Sequence, residues 1–517
     1  MAESATYSCP VTKEATSTVQ PKRAMNTIAE AIAAGIEYQT AGRLDQAEQI
    51  YRQIHAAVPA HADPPHLLGA IARARGELDQ AAGYIAQAVS LNPKCALFHN
   101  NLGTVYAELK RRDEAEACYR RAAQLSPQMA DAHYNLGNLL QDQDRLDEAA
   151  DAYRRSLAID PQSAQTHNNL GNALRHAMQL DEAEASYSRA IAVDPQHVDA
   201  RWNRSLVYIQ TGQLELGWRE YDWRLRRKDH EPRAFSLPVW DGSDLHGRRI
   251  LLVDEQGIGD TVLFSSCISD VLDRAEECVI ECKPRMTSLL ARSFPAATLL
   301  PKPIAPDDPA IRGIDWQIAL GSLPRHLRKR EACFPQHQGY LRPDPAAVTT
   351  WRDRLAALGA GLKVGVSWRG GVDAAARRAK TTSLDAWREI LALPNVRLIN
   401  LQYGDCAAEL AAAQRSTGTT IHDFPEADFY GNLDNVAALV SALDLVISVP
   451  NTNVHLAGAL NVPVWLALPY APQWRWLLDR DDSPWYPSVR IFRRTAEQPW
   501  EELFASIAGE LTASAFI

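Results

Sequence analysis

No apolar stretch in this chain approaches the ~18 residues that a membrane-spanning helix needs; Asp444 and Pro450 interrupt the best candidate, between Val436 and Val449. An excess of positive charge is also missing. Lys and Arg number 54 against 63 Asp and Glu, a formal net charge of −9. That balance excludes a general nucleic-acid binder, whose phosphate contacts require a basic face, but leaves room for a small anion in a local pocket. Cysteine is sparse and scattered, with eight in 517 residues. Cys278 and Cys282 share the segment CVIEC, which reads as a strand, and no second Cys/His pair lies near, so no metal site is expected. The N-terminus has no apolar core of a signal peptide; residues 1–27 are polar and Ser/Thr-rich and are expected to form a disordered tail, with a reduced, cytoplasmic setting.

What is present is ordinary in bulk: 46% hydrophobic and 23% charged residues, the composition of a globular chain. At ~150 residues per domain, the length allows three or four domains.

Periodicity is the strongest signal. Glycines fall at Gly35, Gly69, Gly103, Gly137 and Gly171, each 34 residues after the last. Alanines keep the same step at Ala47, Ala81, Ala115, Ala149 and Ala183, large residues at Tyr51, Ile85, Tyr119, Tyr153 and Tyr187, and prolines at Pro59, Pro93, Pro127, Pro161 and Pro195. Several registers with one period mark a repeat array. Small residues suit the points where two helices cross closely. Tyr119 and its equivalents are expected to fill the space between neighbouring pairs, and each proline ends the second helix. The unit HNNLGTVYAELKRRDEAEACYRRAAQLSP resembles the tetratricopeptide repeat. Five full repeats and a sixth, altered one make an array over 28–230. In the sixth, Trp218, Tyr221 and Trp223 suggest a cap packing onto the next domain.

Such solenoids bind proteins or peptides. Asn occupies one repeat position in four consecutive units: Asn101, Asn135, Asn169 and Asn203. A carboxamide both donates and accepts, so a row of them can hydrogen-bond a peptide backbone without reading its sequence. The row is similar to the asparagine ladder of the O-GlcNAc transferases; solvated asparagines are the alternative.

Beyond residue 230 the pattern changes. RRILLVDE reads as a buried parallel strand, followed by the tight turn Gln256-Gly257-Ile258-Gly259-Asp260 and a helix, the opening of a Rossmann-like unit without the third glycine of GxGxxG. CVIEC and DWQIAL add strands. A second set lies in LKVGVSWRGG, VRLINLQYGD, LDLVISV and VPVWLALP, with helices between, after a linker at about 343–361. Repeated βαβ patterning implies parallel sheets covered on both faces. The expected lobes are 231–345 and 346–517, with a closing helix at PWEELFASIAGELTAS that crosses back.

DEQGIGDTVLF, GVSWRGG, LQYGD, ALDLVISV, VHLAGAL, VPVWLALP and WRWLLDRDDSPWYPSVRIFRR together resemble glycosyltransferase family 9, the heptosyltransferase-like group, in its version fused to tetratricopeptide repeats. The resemblance implies an α-solenoid followed by an α/β GT-B fold of two Rossmann-like lobes. It also implies metal-independent, inverting sugar transfer from a nucleotide-sugar donor, with no permanently bound cofactor.

Glycosyl transfer needs a base for the acceptor hydroxyl and a cradle for the donor phosphates. Asp260 stands where open α/β sheets place ligands, and the resemblance puts the base at this position; a helix N-cap is the alternative. Gly257 and Gly259 make its turn. Asn451, Thr452, Asn453 and His455 open the helix VHLAGAL, whose free N–H groups suit a diphosphate, and His455 either reaches the phosphates or packs within the helix. Pro450-Asn451 departs from the Asp-Thr frequent in the family, which puts an acidic contact to the sugar in doubt. Arg369 and Lys380 are candidate cations for the leaving group, Lys380 within a run that also reads as solvated. Gln402 and Tyr403 are expected to line the nucleobase pocket. Trp474, Trp476, Trp485 and Tyr486 read as core or acceptor-side wall.

These features allow three functional readings: a transferase acting on a protein recruited by the repeats, with flagellin one such acceptor in bacterial relatives of this architecture; a glycan or lipopolysaccharide-type transferase whose repeats dock an assembly; and a non-catalytic protein-binding scaffold.

Overall fold

The structure is a computed structural model that describes residues 27–230, 235, 237–305, 308–370 and 381–513. The expected N-terminal tail, up to residue 26, and Lys380 lie outside the described residues. The chain divides into two compact units, one up to Pro161 and one from Gln162 onward.

The first unit is four helical hairpins: α1 (Ile28–Thr40) with α2 (Leu44–Ala57), α3 (Asp63–Ala74) with α4 (Leu78–Leu91), α5 (Ala96–Glu108) with α6 (Arg112–Leu125), and α7 (Ala130–Asp142) with α8 (Leu146–Ile159). Their crossings show why the registers exist. A Cβ added to Gly103 would lie 2.8 Å from the Tyr119 ring, and one on Gly137 2.6 Å from Tyr153. The large residue thus fills the gap inside its own hairpin, not the space between neighbouring pairs that the sequence suggested. Ala47, Ala81, Ala115 and Ala149 are fully buried at the same crossings.

A further register escapes the glycine count. The turn inside each hairpin needs one left-handed residue, at Gly42, Gly76, Lys110 and Asp144 with φ of 74°, 79°, 63° and 63°. Two repeats use glycine there, and two hold an ordinary L-residue where the Cβ is unfavourable.

The second unit begins with two more hairpins, α9 (Ala164–His176) with α10 (Leu180–Val193) and α11 (Val198–Gln210) with α12 (Leu214–Tyr221), and a short 3₁₀ helix, Asp222–Arg226. The altered repeat is welded to the α/β region after it. Trp218, 1% exposed, meets Tyr221, Phe264, Trp474 and Trp485 edge-on at 5.3–6.4 Å between ring centroids, and its Nε1 donates to the Arg328 carbonyl at 3.1 Å. Trp474 and Trp485 are therefore core. Trp223 plays a different part, with Arg201 and Arg226 over its ring.

Two parallel sheets complete this unit. The first has the order β3-β2-β1-β4, from β1 (Arg249–Val253), β2 (Glu277–Cys282), β3 (Ala297–Pro301) and β4 (Trp316–Ala319). The second has the order β10-β9-β8-β5-β6-β7, from β5 (Leu362–Ser367), β6 (Val396–Asn400), β7 (Ile421–His422), β8 (Leu445–Ser448), β9 (Val464–Leu468) and β10 (Val489–Arg493). β8 and β9 are buried throughout, as their continuous apolar runs require of strands covered on both faces. The fold is thus a helical repeat solenoid followed by an α/β region of parallel sheets.

Each sheet reverses its strand order once, between β1 and β4 and between β5 and β8. Ligands of open α/β sheets bind beyond the carboxyl ends of the strands at such reversals. Two expectations need correction here. The supposed linker contains a helix, Pro345–Ala356, anchored by Trp351 Nε1 donating to Asn435 Oδ1 at 2.8 Å. The closing helix, Trp500–Ala513, does not cross back: Leu503, Phe504, Ile507 and Leu511 join the core on the second sheet, with Phe504 stacked on Trp387 at 4.2 Å.

Candidate functional site

The glycine turn comes directly after β1, and α13 (Ile258–Ser265) starts within it. Its N-cap is Gly257, and no side chain caps the helix. Asp260 is therefore no cap. Its Oδ1 instead takes two hydrogen bonds from Arg475, from Nε at 2.8 Å and from Nη2. Both side chains are mostly buried, at 18% and 13% exposure, and Arg475 lies over the Trp474 ring at 4.4 Å. Burial acts to lower the Arg475 pKa, but the facing Asp260 carboxylate and the Tyr221 hydroxyl hold it above the ordinary value. Oδ2 of Asp260 accepts no hydrogen bond from the described residues. The carboxylate is thus fixed through one oxygen and open through the other.

The opposite wall is the helix Thr452–Ala459, beyond β8. A Cβ on Gly259 would stand 3.1 Å from His455 Cδ2 and 3.6 Å from the Thr452 hydroxyl. The missing side chain at Gly259 lets the two helix starts approach. His455 is 7% exposed, stacks on Trp476 at 5.3 Å, and has its Nδ1 3.0 Å from the Tyr486 hydroxyl. Burial raises the Tyr486 pKa well above the usual tyrosine range, so this hydroxyl keeps its proton.

The structure thus brings Gly259, Asp260, Thr452 and His455 together. Sequence reasoning missed Arg475, which lies 215 residues from its partner in a Trp-rich segment with no motif of its own. The other candidates form a second cluster at the β5/β8 reversal, and their chemistry differs from expectation. Gln402 Oε1 accepts from Ser367 Oγ at 3.1 Å, Trp368 N at 3.1 Å and Arg369 N at 2.8 Å, and its Nε2 donates to the Tyr403 carbonyl at 3.2 Å. The amide oxygen is thus fully engaged within the fold, and one of the two Nε2 donors is committed as well. Asn451 is the N-cap: its Oδ1 accepts from Asn453 N at 3.0 Å, and its Nδ2 donates to Ser367 Oγ at 2.7 Å and the Arg369 carbonyl at 3.1 Å. Asn453 Nδ2 donates to the Leu401 carbonyl at 2.6 Å. These three amides lock the ends of β5, β6 and β8, and of Asn451, Thr452 and Asn453 only Thr452 is partly exposed. Arg369 faces the Asp405 carbonyl at 2.9 Å and Glu409 at 3.3 Å, and Tyr403 meets Tyr430 edge-on at 6.3 Å.

The asparagine row is engaged as well. Asn101 Nδ2 lies 2.8 Å from His66 Nε2, and Asn135 Nδ2 donates to Asn100 Oδ1 at 3.0 Å, both partners 35 residues upstream. In the second unit, Asn203, 6% exposed, repeats the pattern with Asn168 Oδ1 at 3.0 Å, and Asn169 accepts from Gln165 at 2.9 Å. The carboxamides of Asn101, Asn135 and Asn203 thus link successive repeats. Asn101, Asn135 and Asn169 stay half-buried, whereas Asn203 is covered.

Among the described residues, no group of three or more His, Cys, Asp or Glu is placed to hold a metal ion, and no helix is long and apolar enough to cross a membrane. Comparison with known proteins bears mainly on the array. Protein FlbA of Caulobacter vibrioides is 32% identical over 323 residues, 60% of this chain and 54% of that protein. The chain thus spans about half the length of this curated relative. Among solved structures, YrrB, a TPR protein with an unusual peptide-binding site, is 20% identical with a TM-score of 0.31, over 34% of this chain and 91% of its own. Pseudomonas aeruginosa pilF is 20% identical with a TM-score of 0.36, over 39% and 90%. The tetratricopeptide repeat family matches residues 94–162 and 164–197, so this part of the chain is an array of tetratricopeptide repeats.

Proposed function

We propose that the chain is a metal-independent, inverting glycosyltransferase that moves a sugar from a nucleotide-sugar donor to a hydroxyl of a protein held by the repeats. The observation that carries this reading is Asp260, with Oδ1 fixed by Arg475 and Oδ2 open, opposite the start of the helix Thr452–Ala459. In the proposed step, Oδ2 takes the acceptor proton as the acceptor oxygen bonds to the anomeric carbon. The bond from that carbon to the donor phosphate breaks, and the diphosphate leaves with the electron pair. The positive end of the Thr452–Ala459 helix and the Thr452 hydroxyl face the charge that builds on the leaving group. Repeat arrays bind proteins and peptides, which supports a polypeptide acceptor.

The test is incubation of the full chain with nucleotide sugars and host lysate, read by mass spectrometry. A mass-shifted polypeptide is expected. Asp260→Asn should lower the rate by about 10²–10⁴-fold while donor binding by calorimetry stays unchanged. Full activity in Asp260→Asn would refute the base; modified glycan instead of protein would move the acceptor. The absence of both product and nucleotide binding would favour a binding scaffold, a reading that the committed amides of Gln402, Asn451 and Asn453 support.

A further inference from the structure

The strand-order reversal of the first sheet opens a crevice between the segment after β1 and the segment after β4, where a doubly wound sheet usually receives its ligand. Here Arg224, from the 3₁₀ helix that ends the repeat array, enters it. Arg224 is 7% exposed. Its Nη2 donates to Glu255 Oε1 at 2.6 Å and to Ser322 Oγ at 3.0 Å, which joins the two sides of the crevice, and its Nη1 donates to Asp222 Oδ1 at 3.1 Å. Glu255 leads directly into the glycine turn, and its side chain is 4% exposed. The next residue is held from the end of α12, with the Tyr221 hydroxyl donating to Gln256 Oε1 at 3.2 Å.

Gly321, in the segment after β4, is an independent sign that the two sides come close here. A Cβ there would lie 2.2 Å from Gln256 Nε2, 2.7 Å from Glu255 Oε1 and 2.8 Å from Arg224 Nη2. The ends of these three side chains fill the space, and a larger residue at 321 would have to displace them. Glu255 has a second carboxylate oxygen, Oε2, that is buried without a hydrogen-bond partner, so Arg224 is the cation that balances this carboxylate. An unbalanced buried carboxylate moves towards water and takes its backbone with it. That backbone is the turn that aims Asp260, four residues from Gln256.

We infer that Arg224 is a positioning residue: the segment that ends the last repeat sets the glycine turn that carries Asp260, so this end of the array is a structural part of the catalytic centre. This rests on the transferase reading for its catalytic consequence, but the positioning itself is measurable without activity.

The experiment uses the full chain with Arg224→Met, the double variant Arg224→Met/Glu255→Gln, and Arg224→Lys. Hydrogen exchange is followed over 255–261, with β2 and β9 as internal references. Arg224→Met should exchange at least tenfold faster over 255–261 with the references unchanged. The double variant, which removes the stranded charge, should recover most of the protection, and Arg224→Lys part of it. Wild-type exchange over 255–261 in Arg224→Met would overturn the inference, as would faster exchange in every segment, a global loss of fold. With sugar transfer established, kcat should fall at least tenfold in Arg224→Met at unchanged donor KM. An equal rise in KM, or an unchanged kcat, would also overturn it. If the wild type transfers no sugar, the transferase reading fails, and the exchange pattern still decides the positioning role.

Discussion

Glycine makes room for neighbours in both halves of the molecule, but the neighbours differ in kind. In the repeats, Gly103 and Gly137 each admit the tyrosine 16 residues later in the same hairpin. In the α/β region, Gly259 admits His455, Gly321 admits Gln256 and Glu255, and Gly458 admits Tyr486, whose Cγ would lie 2.5 Å from an added Cβ. The first kind of contact is local and recurs, so one rule serves every repeat. The second is made once, between segments far apart in sequence, and each serves a separate purpose. The difference teaches that the same residue marks a recurring helix crossing in one half and single contacts between separate segments in the other.

The sharpest way to break this comparison lies at Trp218, where the last repeat gives up periodic packing. Trp218→Ala should cost about 3–5 kcal/mol, read by chemical denaturation. Hydrogen exchange should place the loss in the second unit; equal loss across α1 to α8 would mean that Trp218 is not confined to the packing seen around it. The same substitution in both halves is the next test. Gly137→Ala should destabilise the first unit by about 1–3 kcal/mol, because its Cβ meets the buried Tyr153 ring. Gly259→Ala meets the His455 edge at 3.1 Å, with the Thr452 hydroxyl at 3.6 Å. It should cost less than Gly137→Ala, about 1 kcal/mol or under, because the contact is looser, yet lower the rate of the proposed transfer about tenfold or more through misplacement of the two helix starts. A stability loss at Gly259→Ala as large as at Gly137→Ala would erase the distinction. The smallest effect sharpens the repeat rule: Lys110→Gly, at a left-handed turn that other repeats fill with glycine, should raise stability by about 0.5–1 kcal/mol, measured as a shift in the urea midpoint.

The array was legible from the sequence because its contacts recur: five glycines, five alanines and five large residues in one period announce the hairpin before any coordinate exists. The left-handed turn was not, because Lys110 and Asp144 break the glycine pattern while keeping its conformation. The parallel strands were legible as continuous apolar runs, and Asp260 through its turn. Its partner was not, since nothing in the local surroundings of Arg475 indicates a carboxylate 215 residues away. The hydrogen bonds of the Gln402, Asn451 and Asn453 amides within the fold were not legible for a related reason. A polar side chain at a strand end has the same appearance in sequence whether it waits for a ligand or ties two strands together, and only the count of its filled hydrogen bonds tells the two apart.

The ion pair between Asp260 and Arg475 also carries a consequence in time. A ribosome adds roughly 5–20 residues per second, so Asp260 is made roughly 10–40 s before Arg475 exists. During that interval the repeats and the first sheet can fold, while the carboxylate has no guanidinium to hold it. A nascent chain therefore completes most of its repeats well before this ion pair can form, and on the proposed transferase reading a chain that stalls before the Trp-rich segment would hold a partner without the means to act on it.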